Sequence, residues 1–533
     1  MRDVGRGDGA DDVEEEKVGG DASHGTWAVY MWGRGKDHRL GLLLTAPVAV
    51  DVMEPTVLPS SGIDRWYGAL SARARVAQVS CGGSHTALVM RDGGLFTVGH
   101  GLYGQLGLGP RIRRTNGLMR VCGVVVPEHS GRAEAGSGPG VPTPTTAAAA
   151  PSTTTRAAAA ATTVSMPPVR AVTCGRYHCL ACTPDGHVYA WGGGKNGRLG
   201  TGVELRSFLP WPIDRVYEPV PGQPMNVRRS RNIPTECRVA AVECGYHHSL
   251  VLSTDGALFS CGWGAHGQLG HGVQQDEPSL LRVTFYDAAG RPDPSVKVAR
   301  VAGGDRHTLA LTTDGRVFGF GSNEFGQLGL SGMPPPPPLP ASSPAAELAH
   351  GPPPPAARVG NVYPKPVQLQ GGALAGRRIV YVACGERHSV ALSDQGEVIC
   401  WGHGASGQLG LGAGVTAAAT PQLMQAPTLR GSRVVHVCCG HESTLFMTAD
   451  KRLFVTGSGE YGLLGVGPQA PRVSFEPLQA RLPPQVVIDG VAMGHFHASL
   501  WGVRLREHGT PDPMPRYTAL GRVGGSSSNS SSG

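Results

Sequence analysis

Histidines recur in this sequence at one fixed place, and a ring of imidazoles is a candidate for metal binding or proton transfer. Each lies three residues after a glycine, in the pairs Gly82 and His85, Gly175 and His178, Gly245 and His248, Gly304 and His307, Gly385 and His388, and Gly494 and His497. A further copy of this step begins at Gly440 and carries Ser443 in the histidine position. Because each histidine follows a turn and opens an alternating apolar run, we predict a structural role, with the imidazole hydrogen-bonded to neighbouring backbone.

Cysteines share this repeated place, since Cys81, Cys174, Cys244, Cys384 and Cys439 each directly precede an opening glycine. A small buried hydrophobic residue fits such a position. Cys179 and Cys182 are three residues apart on a strand, where their side chains point to opposite faces, so we predict no metal site there. No carboxylate pair, nucleophile triad, phosphate-binding loop or zinc-ligand spacing stands out. The sequence therefore predicts no catalytic residue, no metal and no cofactor.

The histidine steps belong to a longer repeated unit, of which residues 298–332 are a full copy. Apolar residues alternate in three short runs, Asp314-Gly315 separates the second run from the third, and a Gly-Gln-Leu-Gly segment follows. This alternation predicts half-buried strands, and Asp-Gly between two of them predicts a tight hairpin. The six full units close at Gly107, Gly200, Gly270, Gly329, Gly410 and Gly465, each 25 residues after its opening glycine (107 − 82, for example).

Each end of the chain carries half of a seventh unit. Residues 490–500 repeat the opening half, and Trp32-Gly33 followed by Arg39-Leu40-Gly41 repeats the closing half. Joining the two halves would close a ring and remove its exposed sheet edges. We predict an all-β fold, a seven-bladed β-propeller whose last blade is completed by N-terminal strands. It spans 25–502, with half-blades at 26–45 and 487–500 and full units near 76–109, 169–202, 239–272, 298–332, 379–412 and 434–467.

Segments of biased composition flank and interrupt the repeat. Residues 1–24 are acidic and residues 503–533 end in a serine-rich run, and we predict that both are disordered tails. Residues 127–168 are rich in Ala, Thr and Pro, and residues 333–357 contain two proline runs. We predict two inserted low-complexity loops, because lengthening a loop costs the fold little free energy. The proline runs are candidate ligands for another domain.

Composition and charge exclude several classes of protein. Charged residues make up 16% of the chain and the net charge is +7, a weak signal for an anionic partner such as nucleic acid. The apolar run at residues 40–50 is too short to span a bilayer, and the acidic N-terminus is no targeting segment. Cysteines without a disulfide framework fit a reducing compartment. We predict a soluble cytoplasmic or nuclear protein with no membrane partner and no strong signal for nucleic acid, and leave its oligomeric state open.

The repeated motifs resemble those of the regulator of chromosome condensation family. They stand here as Cys81-Gly82-Gly-Ser-His85-Thr86, Asp92-Gly93, Trp191-Gly192 and Gly104-Gln-Leu-Gly107, with cognates in the other units. The resemblance covers roughly residues 26–502, apart from the insertions, and it implies a propeller. Members of this family do different jobs on one scaffold, so the resemblance alone does not assign a function.

The two variable residues inside each histidine step are the candidate binding residues, because the scaffold does not dictate them. We predict exposed side chains that line one face of the ring and bind a protein partner. The predicted binding residues are Arg176, Tyr177, Tyr246, His247, Asp305, Arg306, Glu386, Arg387, His495 and Phe496. The chain is therefore interpreted as a rigid protein-interaction platform without catalysis of its own.

Two activities known in the family were weighed as alternatives. Asp305 and Glu386 resemble the acidic residues that the family's Ran exchange factors use, so guanine-nucleotide exchange on a small GTPase is the alternative function. No insertion within a unit supplies the wedge of those factors, and the N-terminal tail is acidic rather than basic. The plant UV-B photoreceptors carry tryptophan within the histidine step, and no unit does so here. The sequence therefore argues against a photoreceptor of that kind.

Overall fold

Seven antiparallel sheets stand around a central channel, and the first strand of each full unit lines that channel. The computed structural model describes residues 26–42, 51–58, 75–126, 162–220, 228–330, 361–469, 471, 473–482 and 486–504. Within these residues the predicted all-β, seven-bladed propeller is confirmed. We number the blades from the first full unit, so blade 7 combines the two ends of the chain.

The strands of the first half of the chain are as follows. Blade 7 receives β1 (Thr26–Gly33) and β2 (Val52–Val57). Blade 1 contains β3 (Val76–Cys81), β4 (His85–Met90), β5 (Leu95–His100) and β6 (Arg114–Arg120), and the hairpin of β7 (Gly123–Val126) and β8 (Thr162–Ser165) follows. Blade 2 contains β9 (Ala171–Cys174), β10 (His178–Cys182), β11 (Val188–Gly192) and β12 (Ser207–Ile213). Blade 3 contains β13 (Arg215–Pro219), β14 (Arg228–Asn232), β15 (Val239–Cys244), β16 (His248–Ser253), β17 (Leu258–Gly262) and β18 (Glu277–Arg282).

The second half of the chain continues the same pattern. Blade 4 contains β19 (Val298–Gly303), β20 (His307–Thr312), β21 (Val317–Ser322) and β22 (Val362–Leu369). Blade 5 contains β23 (Ile379–Cys384), β24 (His388–Ser393), β25 (Val398–His403) and β26 (Ala417–Leu423). Blade 6 contains β27 (Val434–Cys439), β28 (Ser443–Thr448), β29 (Leu453–Ser458) and β30 (Val473–Gln479), and blade 7 ends with β31 (Val486–Met493) and β32 (His497–Arg504).

Helix is confined to single 3₁₀ turns in the described residues: Lys36–His38, Lys195–Gly197, Gly372–Leu374, Pro427–Leu429 and Glu460–Gly462. Across the described ranges, no helix has the length and apolar character needed to cross a membrane.

The two ends of the chain meet in blade 7, whose strand order is β2-β1-β32-β31. Strands β1 and β32 pair along their whole length, from Thr26 opposite Arg504 to Gly33 opposite His497. The C-terminal half-blade is longer than predicted, because strands β31 and β32 extend it to residues 486–504. Residues 503 and 504, assigned to the tail from the sequence, thus belong to the last strand.

The predicted insertions leave the propeller from different connections. Residues 127–161 and 333–357, like the two tails apart from 503 and 504, lie outside the described residues. The first insertion joins the end of blade 1 to blade 2, and Val124 of β7 pairs with Val164 of β8 at its base. The second lies within blade 4, between Leu330 and β22. The hairpin of β13 and β14, which joins the outer edge of blade 3, was not predicted.

Adjacent blades are joined by a repeated buried hydrogen bond from the histidines. Histidine Nε2 lies 2.8 to 3.0 Å from a serine or threonine hydroxyl of the next blade in five pairs: His497 with Thr86, His178 with Ser249, His248 with Thr308, His307 with Ser389, and His388 with Thr444. The prediction that these imidazoles bond neighbouring backbone is wrong, because their partner is a hydroxyl group of the next blade.

The direction of this hydrogen bond follows from the hydroxyl's other contact. Thr308 Oγ1 donates its one hydrogen to the carbonyl of Gln268, in the closing segment of blade 3, at 2.8 Å. His248 Nε2 must therefore carry the hydrogen that it donates to Thr308. Burial lowers the pKa of His248, His307 and His388 to about 3, which keeps these rings neutral. We call the chain of histidine, hydroxyl and carbonyl the blade relay.

Glycine is required at the opening of the histidine step by close packing. A Cβ atom on Gly82 would lie 2.4 Å from the ring of His85 and 2.8 Å from the carbonyl oxygen of Gly175 in the next blade. At the predicted hairpin, Gly315 instead adopts a φ of +87°, which favours glycine over any other residue. The repeated glycines of the unit thus answer two different constraints, and at the hairpin of blade 6 Lys451 takes the glycine position with a φ of +64°.

Removal of residues 486–533 should open the ring. The deletion leaves β1 without its partner β32 and exposes a long sheet edge, so we expect aggregation or loss of cooperative unfolding. Size-exclusion chromatography and thermal denaturation measure both, and deletion of residues 1–20 is the control that should leave the melting curve unchanged. A soluble monomer that unfolds cooperatively without 486–533 would contradict the clasp.

The substitution His307→Ala should lower the free energy of unfolding by about 2–4 kcal/mol, because it removes a buried hydrogen bond between blades and leaves a cavity. Urea denaturation measures this loss. His187, whose side chain is 45% exposed, is the matched control, and His187→Ala should cost less than about 0.5 kcal/mol. Equal stability of the two variants would show that the relay does not join the blades.

Candidate protein interface

The histidine steps and the connections between third and fourth strands lie on the same face of the ring. In blade 2, Gly193 N at the end of β11 donates a hydrogen bond to the carbonyl of Tyr177 in the histidine step. In blade 1, His100 N does the same to the carbonyl of Ser84. We call this the turn face. The Asp-Gly hairpins lie at the opposite ends of the strands, on the other face.

The first variable residues of the seven steps converge on the channel axis, and we call them the inner ring. They are Gly83, Arg176, Tyr246, Asp305, Glu386, His441 and His495. Tyr246 of blade 3 and His495 of blade 7 meet across the axis, with ring centroids 3.8 Å apart. His441 lies 6.2 Å from His495 and 6.3 Å from Tyr246 by the same measure. These three rings close the mouth of the channel.

Several inner-ring residues are not exposed as predicted. Tyr246 is 7%, Asp305 8% and His495 5% exposed, and the side chain of Glu386 is 12% exposed. The expectation of free side chains on an exposed turn is wrong at these positions, because seven turns of one ring crowd toward one axis. Asp305 and Glu386 are consequently unsuited as a readily accessible recognition patch.

The inner-ring charges form a paired cluster. Glu386 Oε2 lies 2.9 Å from His441 Nε2, and Arg387 Nη2 lies 3.3 Å from Glu386 Oε1. Burial alone would raise the pKa of Glu386, but the hydrogen bond and charge of His441, together with Arg387, lower it to about 2. Burial likewise opposes ionisation of His441, yet Glu386 raises the pKa of that imidazole. For Asp305, burial and the nearby Glu386 raise the pKa of the carboxyl.

The second variable residues form an outer ring, which consists of Ser84, Tyr177, His247, Arg306, Arg387, Glu442 and Phe496. All seven residues are half-buried. Tyr177, Arg306 and Arg387 therefore stand at accessible positions, as predicted for a binding face. Arg306 Nε lies 3.3 Å from Asp305 Oδ2 and Arg387 is paired with Glu386, so the predicted mixed-charge patch is brought together.

Four of the outer-ring residues meet the closing segment of the preceding blade. In each case the partner directly precedes the first glycine of Gly-Gln-Leu-Gly or its equivalent, and sequence reasoning overlooked that position. The pairs are Tyr103 with Tyr177 (ring centroids 5.1 Å), Phe325 with Arg387 (4.7 Å from guanidinium to centroid), Ser406 with Glu442 (3.0 Å), and Tyr461 with Phe496 (centroids 5.9 Å). The variation of this residue among otherwise uniform units was the signal that could have revealed it.

Exposed apolar side chains gather on the turn face at blades 1 and 2. Leu102 is 45%, Tyr103 42%, Val203 49% and Leu205 71% exposed. Tyr103 and Leu205 flank the Gly193–Gly194 segment, where a Cβ on Gly193 would touch Tyr103 and Tyr177 and one on Gly194 would collide with the Leu205 carbonyl, and Leu102 and Val203 lie in the same two connections. We call Leu102, Tyr103, Tyr177, Val203 and Leu205 the apolar corner.

Arginines border the apolar corner. The guanidinium carbons of Arg113 and Arg206 lie 4.6 and 5.3 Å from the ring centroid of Phe208, and that of Arg176 lies 5.4 Å from the ring centroid of Tyr177. The acidic outer-ring residue Glu442 lies in blade 6, on another part of the same face. The turn face therefore carries an apolar region at blades 1 and 2 that is bordered by three arginines and one exposed glutamate, Glu204.

Two groups of potential metal-ligating residues occur among the described residues. Glu386, His441 and Glu442 belong to the charge cluster at the channel mouth, whereas His85, Cys174 and Cys179 are buried between blades 1 and 2. Cys179 and Cys182 do not converge: Cys182 Sγ lies 3.5 Å from Arg170 Nη2, while Cys179 Sγ lies 3.6 Å from Cys174 Sγ. No metal site was predicted at Cys179 and Cys182, and the contact of Cys179 with Cys174 on the neighbouring strand was not predicted.

The chain belongs to the Regulator of chromosome condensation (RCC1) repeat family. One family model of this repeat matches residues 28–89, 185–252, 255–311, 314–392 and 395–447. A second matches residues 76–105, 169–198, 239–268, 298–327 and 379–408. The resemblance inferred from the motifs is thereby confirmed.

Relatives of this chain have different names and roles. It is 28% identical over 411 residues to the Ultraviolet-B receptor UVR8 of Arabidopsis thaliana, covering 77% of this chain and 68% of the receptor. It is 34% identical over 244 residues to the human probable E3 ubiquitin-protein ligase HERC6, covering 45% of this chain but only 19% of the ligase. The crystal structure of Prp20p from Saccharomyces cerevisiae, described with its binding to Gsp1p and histones, superposes with a TM-score of 0.61 at 18% identity, covering 91% of this chain and 94% of Prp20p.

The Glu386–His441 pair should make stability depend on pH at both ends of a window. The contribution of Glu386 is present above pH 4.5 and is lost as the pH falls toward about 2, because its folded pKa is depressed. The contribution of His441 is present below pH 6.5 and is lost as the pH rises through its raised folded pKa. Glu386→Gln should therefore cost about 2 kcal/mol between pH 4.5 and 6.5, and less on either side.

Urea denaturation across this pH range gives the measurement. Glu324 has a side chain 54% exposed and lies 3.8 Å from Arg306, so Glu324→Gln serves as the control with a small, pH-insensitive effect. A cost for Glu386→Gln that does not change with pH would show that the pair is not charged in the folded protein.

Proposed function

We propose that this chain is a rigid protein-interaction platform that binds a protein partner on the turn face, beginning at the apolar corner. The observation that carries the proposal is the exposure of Leu102, Tyr103 and Leu205 beside Tyr177 on one side of an otherwise well-packed ring. Large apolar side chains that gather at a surface, with polar residues around them, are typical of protein-binding sites. Rigidity favours binding, because a preformed surface loses little conformational freedom on association.

The partner should present apolar side chains surrounded by acidic residues. Leu102 and Leu205 supply the apolar contact, while Arg113, Arg176 and Arg206 border it with positive charge. The net charge of +7 favours approach of an acidic surface in the same sense. Charges at the border of an interface mainly set the association rate and the choice of partner, whereas the buried apolar contacts supply affinity.

The relatives support a binding role over chemistry by the propeller itself. Prp20p shares the fold and binds Gsp1p and histones, which are proteins. HERC6 is a far longer ligase, of which this chain matches 19%. No histidine step carries tryptophan, so a photoreceptor role like that of UVR8 is not proposed.

Guanine-nucleotide exchange on a small GTPase is the second candidate. The observation in its favour is the mixed-charge cluster on the turn face, in which the buried carboxylates of Asp305 and Glu386 pair with the half-buried side chains of Arg306 and Arg387 that a GTPase would contact. An exchange factor needs no covalent chemistry, since it binds the nucleotide-free GTPase better than the loaded one. Release of a fluorescent nucleotide from a panel of small GTPases, with and without this chain, separates exchange from simple binding.

The double substitution Leu102→Asp with Leu205→Asp should weaken partner binding by at least about 30-fold, because it puts charge into the apolar centre of the interface. The melting temperature should stay close to that of the unaltered chain, since both side chains are exposed. Affinity capture with and without nucleotide depletion identifies the partner, and calorimetric titration of the purified partner measures the dissociation constant.

Met119 provides the matched control, because it lies on outer strand β6 of blade 1 and is 40% exposed. Met119→Asp adds one negative charge to blade 1, as Leu102→Asp alone does, but away from the turn face, so it should bind normally. The proposal fails if the double variant binds its partner with unchanged affinity, or if Met119→Asp weakens binding equally.

A further inference from the structure

The blade relay changes its chemistry at the interface between blades 1 and 2, where a thiol replaces the hydroxyl. His85 Nε2 lies 3.0 Å from Cys179 Sγ. Cys174 stands directly opposite Cys179 on the neighbouring strand, and the two sulfur atoms are 3.6 Å apart. His85 and Cys179 are fully buried, and Cys174 is 9% exposed. One imidazole nitrogen and two sulfurs therefore face one another in the interior of the ring.

This arrangement is peculiar to one blade among those described. A cysteine also ends the first strand of blades 3 and 5, but Cys244 pairs with Ser249, and Cys384 pairs with Ser389. In blades 1 and 6 the residue opposite the cysteine is threonine, and in blade 4 both strands lack a cysteine there. Each of those sites offers one sulfur at most. In blade 2 the second sulfur completes a set of three soft ligands.

We propose that His85, Cys174 and Cys179 bind a Zn²⁺ ion between blades 1 and 2. Zinc prefers cysteine sulfur and histidine nitrogen, with bonds of about 2.3 and 2.0 Å in tetrahedral geometry. Such bonds put two sulfurs about 3.8 Å apart and a sulfur and a nitrogen about 3.6 Å apart. The sulfur–sulfur distance of 3.6 Å already fits, and the nitrogen–sulfur distance of 3.0 Å must open by about half an ångström.

Charge balance favours a divalent ion over an empty dithiol site. Two thiolates and a neutral imidazole carry two negative charges, which Zn²⁺ neutralises in surroundings that disfavour net charge. A disulfide between Cys174 and Cys179 would use the sulfurs alone and would give the imidazole nitrogen no role.

The ion has a route to the site. Cys174 and the adjoining Gly175 line the central cavity, which has a volume of about 540 Å³. Three protein ligands leave a fourth tetrahedral position for water from this cavity. The carbonyl of Gln105, 3.4 Å from Cys179 Sγ, limits the space on the other side. The metal would thereby join first and second strands of blade 2 to the second strand of blade 1.

Titration of the reduced, chelator-treated full chain with Co²⁺ tests the proposal, because Co²⁺ reports thiolate ligands by its sulfur-to-metal charge-transfer absorption. We expect saturation at one equivalent, displacement of the band by Zn²⁺, and a higher melting temperature in the presence of Zn²⁺. Cys179→Ser should abolish the band. That variant should still fold, because serine occupies the same relay position in blades 3 and 5.

Blade 3 supplies both a control and a gain of binding. Cys244→Ala removes the equivalent first-strand cysteine and should leave the Co²⁺ band intact. Ser249→Cys should create a second site from His178, Cys244 and the introduced thiol, and should raise the stoichiometry to two. The proposal is overturned if the unaltered chain binds no Co²⁺ through thiolate, if the band survives Cys179→Ser, or if non-reduced protein contains a Cys174–Cys179 disulfide that reduction and metal do not replace.

Discussion

The architecture depends on one hydrogen-bond relay that is repeated between blades. A histidine and the closing segment of one blade both hold the same hydroxyl of the next blade, as His248 and the carbonyl of Gln268 hold Thr308. The hydroxyl can accept from one and donate to the other, so every polar atom of the trio except the second imidazole nitrogen is satisfied in the apolar interior. Blade position and orientation follow from this contact, which explains why spacing within the unit does not vary.

Where the blade relay is interrupted, the indole N–H of a tryptophan donates a hydrogen bond to the carbonyl of the closing segment. Between blades 6 and 7 both members of the bond are replaced. Ser443 of blade 6 takes the place of the histidine and Ala498 of blade 7 takes the place of the hydroxyl residue, so no imidazole–hydroxyl bond joins these blades. Trp32 Nε1 instead donates to the carbonyl of Leu463 at 3.0 Å. Trp191 does the same to Gln105 beside Cys179, at 3.0 Å. The closing carbonyl thus keeps a donor at the altered interfaces, as it also does at the intact interface of blades 4 and 5, where Trp401 Nε1 lies 2.8 Å from the carbonyl oxygen of Gln327.

Fixed relay geometry also organises the variable residues. The glycine and the histidine of each step are constrained by packing, and the two residues between them take no part in the relay. Their side chains are directed by the turn to the channel mouth and to the boundary between blades. One inner ring therefore closes the channel, and one outer ring, with the neighbouring loops, forms the accessible surface. A repeated scaffold can in this way vary its recognition surface without altering its core.

The strands of the repeated unit, the blade count and the closure of the ring by both chain ends could be predicted from the sequence, whereas the β13–β14 hairpin could not. The predicted features follow from local alternation, Asp-Gly hairpins and a spacing that recurs within each unit, which short-range constraints produce. The sequence also indicated which residues of each step vary, and where two insertions interrupt the repeat.

The contacts of those variable residues with other blades depend on the tertiary structure. Tyr246 and His495 come from blades 3 and 7, and their contact exists because seven turns converge on one axis. Asp305 is buried for the same reason, although its neighbours in the chain look like an exposed turn. His85, Cys174 and Cys179 likewise meet across a blade boundary and a strand pair. Periodicity along the chain specifies each strand, but distances between separate blades are set by the closed ring.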